Sequence, residues 1–208
     1  MKEINPFRSY DEAIKSLDNG GHFYNVFTKA KDETISSAEL RKAAGVFSSK
    51  QSMILYLELS LSALSALNRE HVINHLSKEL TDIYNQYKPV ILSSFQDIIL
   101  PDTSKTVLVK GTANLVDSKT EFKGFIMVPV MINNITTFTT VPIIDSYNVY
   151  EFIGQNSESK MMIAHAKCGN ILPDSKILCG GFLKELQKEE SNDGEKESFL
   201  EVVYFSKC

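Results

Sequence analysis

The sequence predicts an α+β fold: a helical region over residues 1–101 packed with an antiparallel β region over 102–208, the latter a small barrel or sandwich. Three observations predict it. Helix start and stop signals recur through the first half. The apolar period then switches from about 3.6 to about 2 just past Pro101. Beyond that point, turn signals divide the chain into about seven β-rich runs. With 208 residues, 43% of them hydrophobic and 23% charged, the chain has the composition of an ordinary globular protein, and the two regions can hold separate cores or share one.

The first helix is expected between Ser9, an N-cap followed by Asp11 and Glu12, and the stop Asn19-Gly20-Gly21. Ser36 with Glu39 three residues later forms a capping box, and Gly45 sits where a C-cap glycine belongs, so a second short helix spans about Ser37 to Ala44. The run Met53 to Leu67 alternates apolar and polar residues like a strand. On a helical wheel, however, Glu58, Ser62, Ser65 and Arg69 fall on one narrow stripe, with Ser60 opposite, which predicts a mostly buried helix. From Asn68 to Tyr87 the residues Val72, Ile73, Leu76, Leu80, Ile83, Tyr84 and Tyr87 form one apolar face, read as a single amphipathic helix. Pro89 either kinks that helix or opens a short one through Phe95 and Ile98, ended by Pro101.

In the second half, turn signals at Asp117-Ser118-Lys119, Asn133-Asn134, Asp145-Ser146, Gln155 to Ser159, Pro173-Asp174-Ser175 and Ser191 to Gly194 separate the expected strands. Connections this short predict antiparallel neighbours. Asn133-Asn134 is the clearest hairpin turn. Pro129 and Pro142 lie in its arms and place edges or bulges there. Gly180-Gly181 predicts a bulge, and the last strand, FLEVVYF, is apolar on both faces and therefore central.

Composition narrows the function classes. No apolar run reaches the length of a membrane span, and the N-terminal residues carry charges without an apolar core, so a cytoplasmic protein that does not enter membranes is expected. Cys168, Cys179 and Cys208 fit neither a disulfide framework nor a CxxC metal pair, and are read as free thiols. The net charge is −4. Lys plus Arg against Asp plus Glu is 11 to 12 through Leu100 and 11 to 14 after it, so neither half is basic. The arginines are Arg8, Arg41 and Arg69, which leaves the β half without a planar fork for phosphate or guanine.

Four constellations carry possible chemistry. His71 and His75, four apart on a helix, could share a metal with Glu79 or Asp82 nearby, but both fall off the apolar centre of the wheel. They are read as a solvated flank whose replacement by alanine leaves the fold nearly unchanged. His165, Cys168 and Cys179 suggest a thiol or metal site if Cys179 lies on the neighbouring strand; residues three apart on a strand point to opposite faces, so buried structural cysteines and a surface or core histidine are favoured. The segment ending at Glu39 has the rhythm of an EF-hand loop. Its first and third ligand positions would be Thr28 and Ala30 and its central glycine Glu33, so an ordinary helix-to-helix loop is the better reading. Phe122, Phe125, Phe138, Tyr147, Tyr150 and Phe152 could stack bases if the β half were an OB-like barrel. No GxGxxG, GxxxxGK[ST], GxSxG or HExxH motif occurs.

The favoured function is a non-catalytic protein-interaction or regulatory module that takes a protein or peptide. Nucleic acid is disfavoured as partner, no cofactor or metal is expected, and homo-oligomerisation is left open. The alternatives are an OB-like single-stranded nucleic-acid-binding protein and a metal-assisted hydrolase using His71 and His75.

Overall fold

The computed structural model describes residues 1–21, 29–45, 49–92, 106–132, 135–154, 160–166, 171–186 and 197–208, with side chains for all of these except those within 117–146, 185–186 and 197–198. Among these residues it is a mixed α+β fold of five helices and one seven-stranded sheet. After β1 (Lys2–Glu3), α1 (Tyr10–Leu17) begins at Ser9, whose hydroxyl accepts from the Glu12 amide. In α2 (Ser37–Ala44), the Ser36 hydroxyl accepts from the Glu39 amide and Glu39 accepts from the Ser36 amide, the expected capping box, and Gly45 ends the helix at φ 70°.

α3 (Lys50–Ser60) stops earlier than the apolar run does, because Ser62 and Ser65 compete for the backbone. The Ser62 hydroxyl donates to the Leu59 carbonyl, and Ser65 caps the next helix, α4 (Ala66–Asn74). The helix expected over Asn68 to Tyr87 is in fact two, α4 and α5 (Lys78–Tyr87). Its predicted face is correct, since Val72, Leu76, Leu80, Ile83 and Tyr84 are all buried in the helical core. Its continuity is broken at Leu76, which pairs with Ile35: Ile35 N–H donates to the His75 carbonyl and Ser77 N–H donates to the Ile35 carbonyl, while Ser77 caps α5. A tertiary bridge and a cap override the helical period.

Helix gives way to strand before Pro101. Lys88, held extended ahead of Pro89, ends α5 at ψ 124°. In place of the start of a short helix stands β2 (Val90–Leu92), while Phe95 and Ile98 lie outside the described residues. The chain continues through β3 (Thr106–Ile132), β4 (Ile135–Gly154), β5 (Lys160–Ala166), β6 (Lys176–Leu186) and β7 (Glu197–Lys207). Among the described residues there are seven strands, but two of them come from the first half.

The ladder closes on itself: β3 pairs β4, β4 pairs β5, β5 pairs β7, β7 pairs β6 and β6 pairs β3. The pairs β3–β4, β4–β5 and β6–β7 are antiparallel as expected. The contacts β1–β7, β2–β3 and β5–β7 are parallel, because those strands meet through the fold rather than through a short turn. β7 pairs three strands and is central, and the register slips between Gly180 and Gly181 as the glycine pair predicts. The signals at Asp117–Lys119 and Asp145–Ser146 are not turns. They face one another across the β3–β4 ladder, Glu121 opposite Asp145 and Thr120 opposite Ser146, between bulges at Leu115/Asp117 and Phe122/Gly124. Polar residues that resemble a turn locally are thus absorbed into one long hairpin, whose closing pair, Ile132 and Ile135, brackets Asn133-Asn134.

The ring encloses one core of Val109, Tyr150, Phe152, Ile163, Ile177, Leu200 and their neighbours. A second core fills the helical half, and a third lies between the two, where Leu55 and Leu59 of α3 meet Leu108, Tyr204 and Ile4. α3 is therefore apolar on opposite sides, with Ile54 and Leu57 turned to the helices and Leu55 and Leu59 to the ring. Each such leucine contributes about 2 kcal/mol through burial. No helix among the described residues is long and apolar enough to cross a membrane.

Candidate binding face

His71 and His75 do not form a matched pair. His71 is exposed, its ring edge-on to Tyr10 at 6.1 Å between centroids. His75 is half-buried, and both of its nitrogens are engaged. Nδ1 lies 2.7 Å from the Glu33 carbonyl, which can only accept, so Nδ1 carries the proton and Nε2 accepts from the Tyr10 hydroxyl at 2.7 Å. One side chain thus ties α1, the 29–35 loop and the end of α4 together, and its lone pair is already used. The solvated-flank expectation holds for His71 and is corrected for His75. His75→Ala is expected to cost about 1 kcal/mol by removing two hydrogen bonds, a part-buried one to Tyr10 and an exposed one to Glu33, whereas His71→Ala stays within about 0.5 kcal/mol. Urea unfolding of the two single variants checks this. Among the described residues, no group of three His, Cys, Asp or Glu is placed to hold a metal.

The 29–35 loop is a helix-to-helix loop, as its missing ligands indicate. It is organised by two buried carboxylates, Asp18 and Glu39. Asp18 accepts from the amides of Lys31 and Glu33, both at φ 63°, and Glu39 accepts from Gly20 and Ser36. The capping box foretold the role of Glu39. Nothing in the local pattern marked Asp18, whose partners lie 13 to 15 residues away.

In the ring, His165 is buried and stacked on Tyr150. Its Nδ1 donates to the Ala166 carbonyl at 2.9 Å, its Nε2 accepts from the Tyr150 hydroxyl at 3.1 Å, and that hydroxyl accepts from the Leu172 amide at 3.2 Å. Cys179 does not join it, because β6 pairs with β3 and β7 rather than with β5; Cys168 lies outside the described residues. Burial pushes the Cys179 thiol far above its usual range, which disfavours the reactive thiolate. Burial also lowers the pKa of His165. The unfolded imidazole takes up its proton near pH 6.5 while the folded one stays neutral to lower pH, so stability is full above about 6.5 and falls as the pH drops below it. Unfolding free energies measured at stepped pH should show this slope in the wild type and a shallower one in His165→Gln.

Of the six candidate base-stacking aromatics, Tyr150 and Phe152 are core residues of the ring, 1% and 0% exposed. Tyr147 is half-buried on β4. Phe122, Phe125 and Phe138 fall on the part of the hairpin known by its register alone: Phe122 faces Ile144, Phe125 faces Pro142 and Phe138 faces Pro129. The outer face of β3–β4–β5 instead shows apolar side chains. Leu115, Val116 and Met162 are 52%, 61% and 41% exposed. Of the lysines there, Lys160 lies 3.0 Å from Glu151, while Lys110 of β3 is exposed; on the adjoining β6–β7 pair Lys184 lies 2.7 Å from Glu201. The bulge at Leu115/Asp117 turns Leu115 outward although its register partner, Tyr150, faces the core.

No family model matches the chain, and no curated protein does. Among solved structures it is similar to the N-terminal domain of an archaeal MCM, with 11% sequence identity over 94% of this chain and 91% of that one, at a TM-score of 0.41. A likeness of that size assigns neither a family nor a ligand.

Proposed function

We propose that this chain is a non-catalytic binding protein that takes a protein or peptide partner on the outer face of β3–β4–β5, with the helical residues 1–101 serving as the platform for the β residues 102–208. The observation that carries the reading is the combination on that face of exposed Leu115, Val116 and Met162 with Lys160 already paired to Glu151. Exposed apolar side chains beside a charge already paired suit a desolvating protein contact, whereas a phosphate backbone needs uncommitted cations. The test is to pan a random peptide library on the wild type and on Val116→Asp/Met162→Asp. Selected peptides should bind the wild type and lose most of their affinity for the variant at unchanged melting temperature. Equal retention by both proteins, or no enrichment at all, would sink the reading.

A second reading has one observation in its favour. A closed ring of five strands is also the frame of OB-folds, which bind single-stranded nucleic acid across a strand face and its flanking loops. The buried aromatics and the pairing of Lys160 oppose it.

A further inference from the structure

We propose that Asn19-Gly20 is a modification site: a deamidation site that the fold keeps inert while the joint between α1 and α2 is closed, and that prevents the joint from closing again once its side-chain amide has been lost to water. Asn19 is the only asparagine of the chain followed by glycine, the pairing in which the next backbone nitrogen reaches the side-chain carbonyl carbon with no Cβ in its way. The fold demands both residues. Gly20 stands at φ 76°, and a Cβ there would press on Ala30, 3.2 Å from its nitrogen and 3.3 Å from its Cβ. Asn19 is needed as a donor: its Nδ2 donates to the carbonyls of Ser16 at 2.9 Å, Leu17 at 3.0 Å and Glu39 at 3.1 Å. The first two belong to the last turn of α1, where helical carbonyls lack partners of their own, and the third belongs to α2. One side chain thus fastens the end of α1 to α2.

The reaction needs only water. The Gly20 nitrogen gives up its proton and bonds to the Asn19 side-chain carbonyl carbon; the bond from that carbon to Nδ2 breaks and ammonia leaves with the proton, closing a succinimide. Water then opens the ring at one of its two carbonyls and leaves aspartate or its isoaspartyl isomer, so that one water enters and one ammonia departs. In the closed joint the first step is blocked. The Gly20 N–H points at Glu39, donating to Oε1 at 2.8 Å. The electron pair that deprotonation would leave therefore faces a carboxylate instead of the Asn19 carbon, and a second anion beside that carboxylate is disfavoured. The carbon itself is held in place, Nδ2 by its three carbonyls and Oδ1 by accepting from the Gly21 amide at 3.2 Å. Attack must wait for local opening.

Loss of the amide turns each Nδ2 contact from attraction to repulsion. An ionised carboxylate has no N–H to give, so it would set an oxygen against three carbonyl oxygens, at the negative end of the α1 dipole. Two buried carboxylates are already there, Asp18 next to it in the chain and Glu39 on the following amide. Lys42, which donates to the Asn19 backbone carbonyl at 2.8 Å, supplies one cation against them. The isoaspartyl form also adds a carbon to the backbone and moves Gly20 off Ala30. Because Asp18 holds the amides of Lys31 and Glu33, the 29–35 loop loosens with the joint. The switch runs one way: opening exposes the site to reaction, and the product keeps the joint open.

Peptide mapping of the full chain incubated in mildly alkaline buffer, with and without urea, tests it. Conversion of Asn19 to aspartate and isoaspartate should be at least about tenfold slower in buffer than in urea, a ratio set by the free energy of local opening. Glu39→Ala, which removes the acceptor of the Gly20 N–H, should speed the reaction in buffer. Asn19→Asp should lower the urea midpoint at least as far as Asn19→Ala, because it loses the same three hydrogen bonds and adds a charge. Equal rates in buffer and urea, a slower reaction in Glu39→Ala, which would make Glu39 the base for the attack, or an Asn19→Asp protein more stable than Asn19→Ala would each overturn the proposal.

Discussion

Gly181→Ala will destabilise the protein by about 3 kcal/mol, the upper range for forcing atoms into a packed interior. A Cβ at Gly181 would stand 2.0 Å from the Glu201 carbonyl oxygen and 3.0 Å from the Val202 Cα. Both are backbone atoms of β7, so nothing can rotate away, and this is the point where β6 slips register against β7 as the ring closes. Gly111→Ala should behave alike, since its Cβ would meet the Ile153 carbonyl oxygen at 2.1 Å. Gly111 is the joint at which β3 is flanked by β4 and β6 together, opposite Gly154 and Ile177. Gly180→Ala is the control: its Cβ would touch only the ends of Leu55, Leu59 and Leu108, which can shift. Thermal and urea unfolding should rank Gly180→Ala well above the other two. Equal, small losses in all three would contradict this account of ring closure.

Arg69→Ala is expected to cost about 3 kcal/mol, because it abandons a buried carboxylate. Glu58 is 2% exposed and accepts from the Tyr84 hydroxyl at 2.6 Å and from the Arg69 guanidinium. With the arginine gone, one phenol is left to hold a charge inside the helical core. Replacing both members, as Glu58→Leu/Arg69→Met, should bring stability back to within about 1 kcal/mol of the wild type, because the desolvated charge disappears together with its partner. A double variant as unstable as Arg69→Ala would show that packing rather than the ion pair governs the site.

These two sites show how far the sequence could be read. The wheel placed Glu58 and Arg69 on one stripe, and they do meet, but across the break between α3 and α4 and in the interior rather than on a solvated edge. Caps were legible because Ser9, Ser36 and Gly45 act on amides within a few residues of themselves. The break at Leu76 was not, because its cause, Ile35, is 41 positions away. In the β half the hairpin at Asn133-Asn134, the Gly180-Gly181 bulge and the central last strand could be read from local signals. The parallel β5–β7 contact that closes the ring joins strands separated in sequence and has no local signature. His75 is the clearest lesson at a candidate site. Its wheel position suggested solvent, while the Tyr10 hydroxyl and the Glu33 carbonyl that occupy its nitrogens come from elements no periodicity connects to it. Likewise Leu115 and Val116 reach the outer face through a bulge, and alternation alone does not place a bulge.

The central claim is that the outer face of β3–β4–β5 suits protein rather than phosphate. Fluorescence anisotropy of a labelled single-stranded oligonucleotide, titrated with the full chain at low and at physiological salt, tests it most directly. With Lys160 held by Glu151 and apolar side chains filling the face, the account predicts no saturable binding even at low salt, where phosphate contacts are strongest. Saturable binding that weakens steeply with salt and is lost in Lys160→Glu would contradict it.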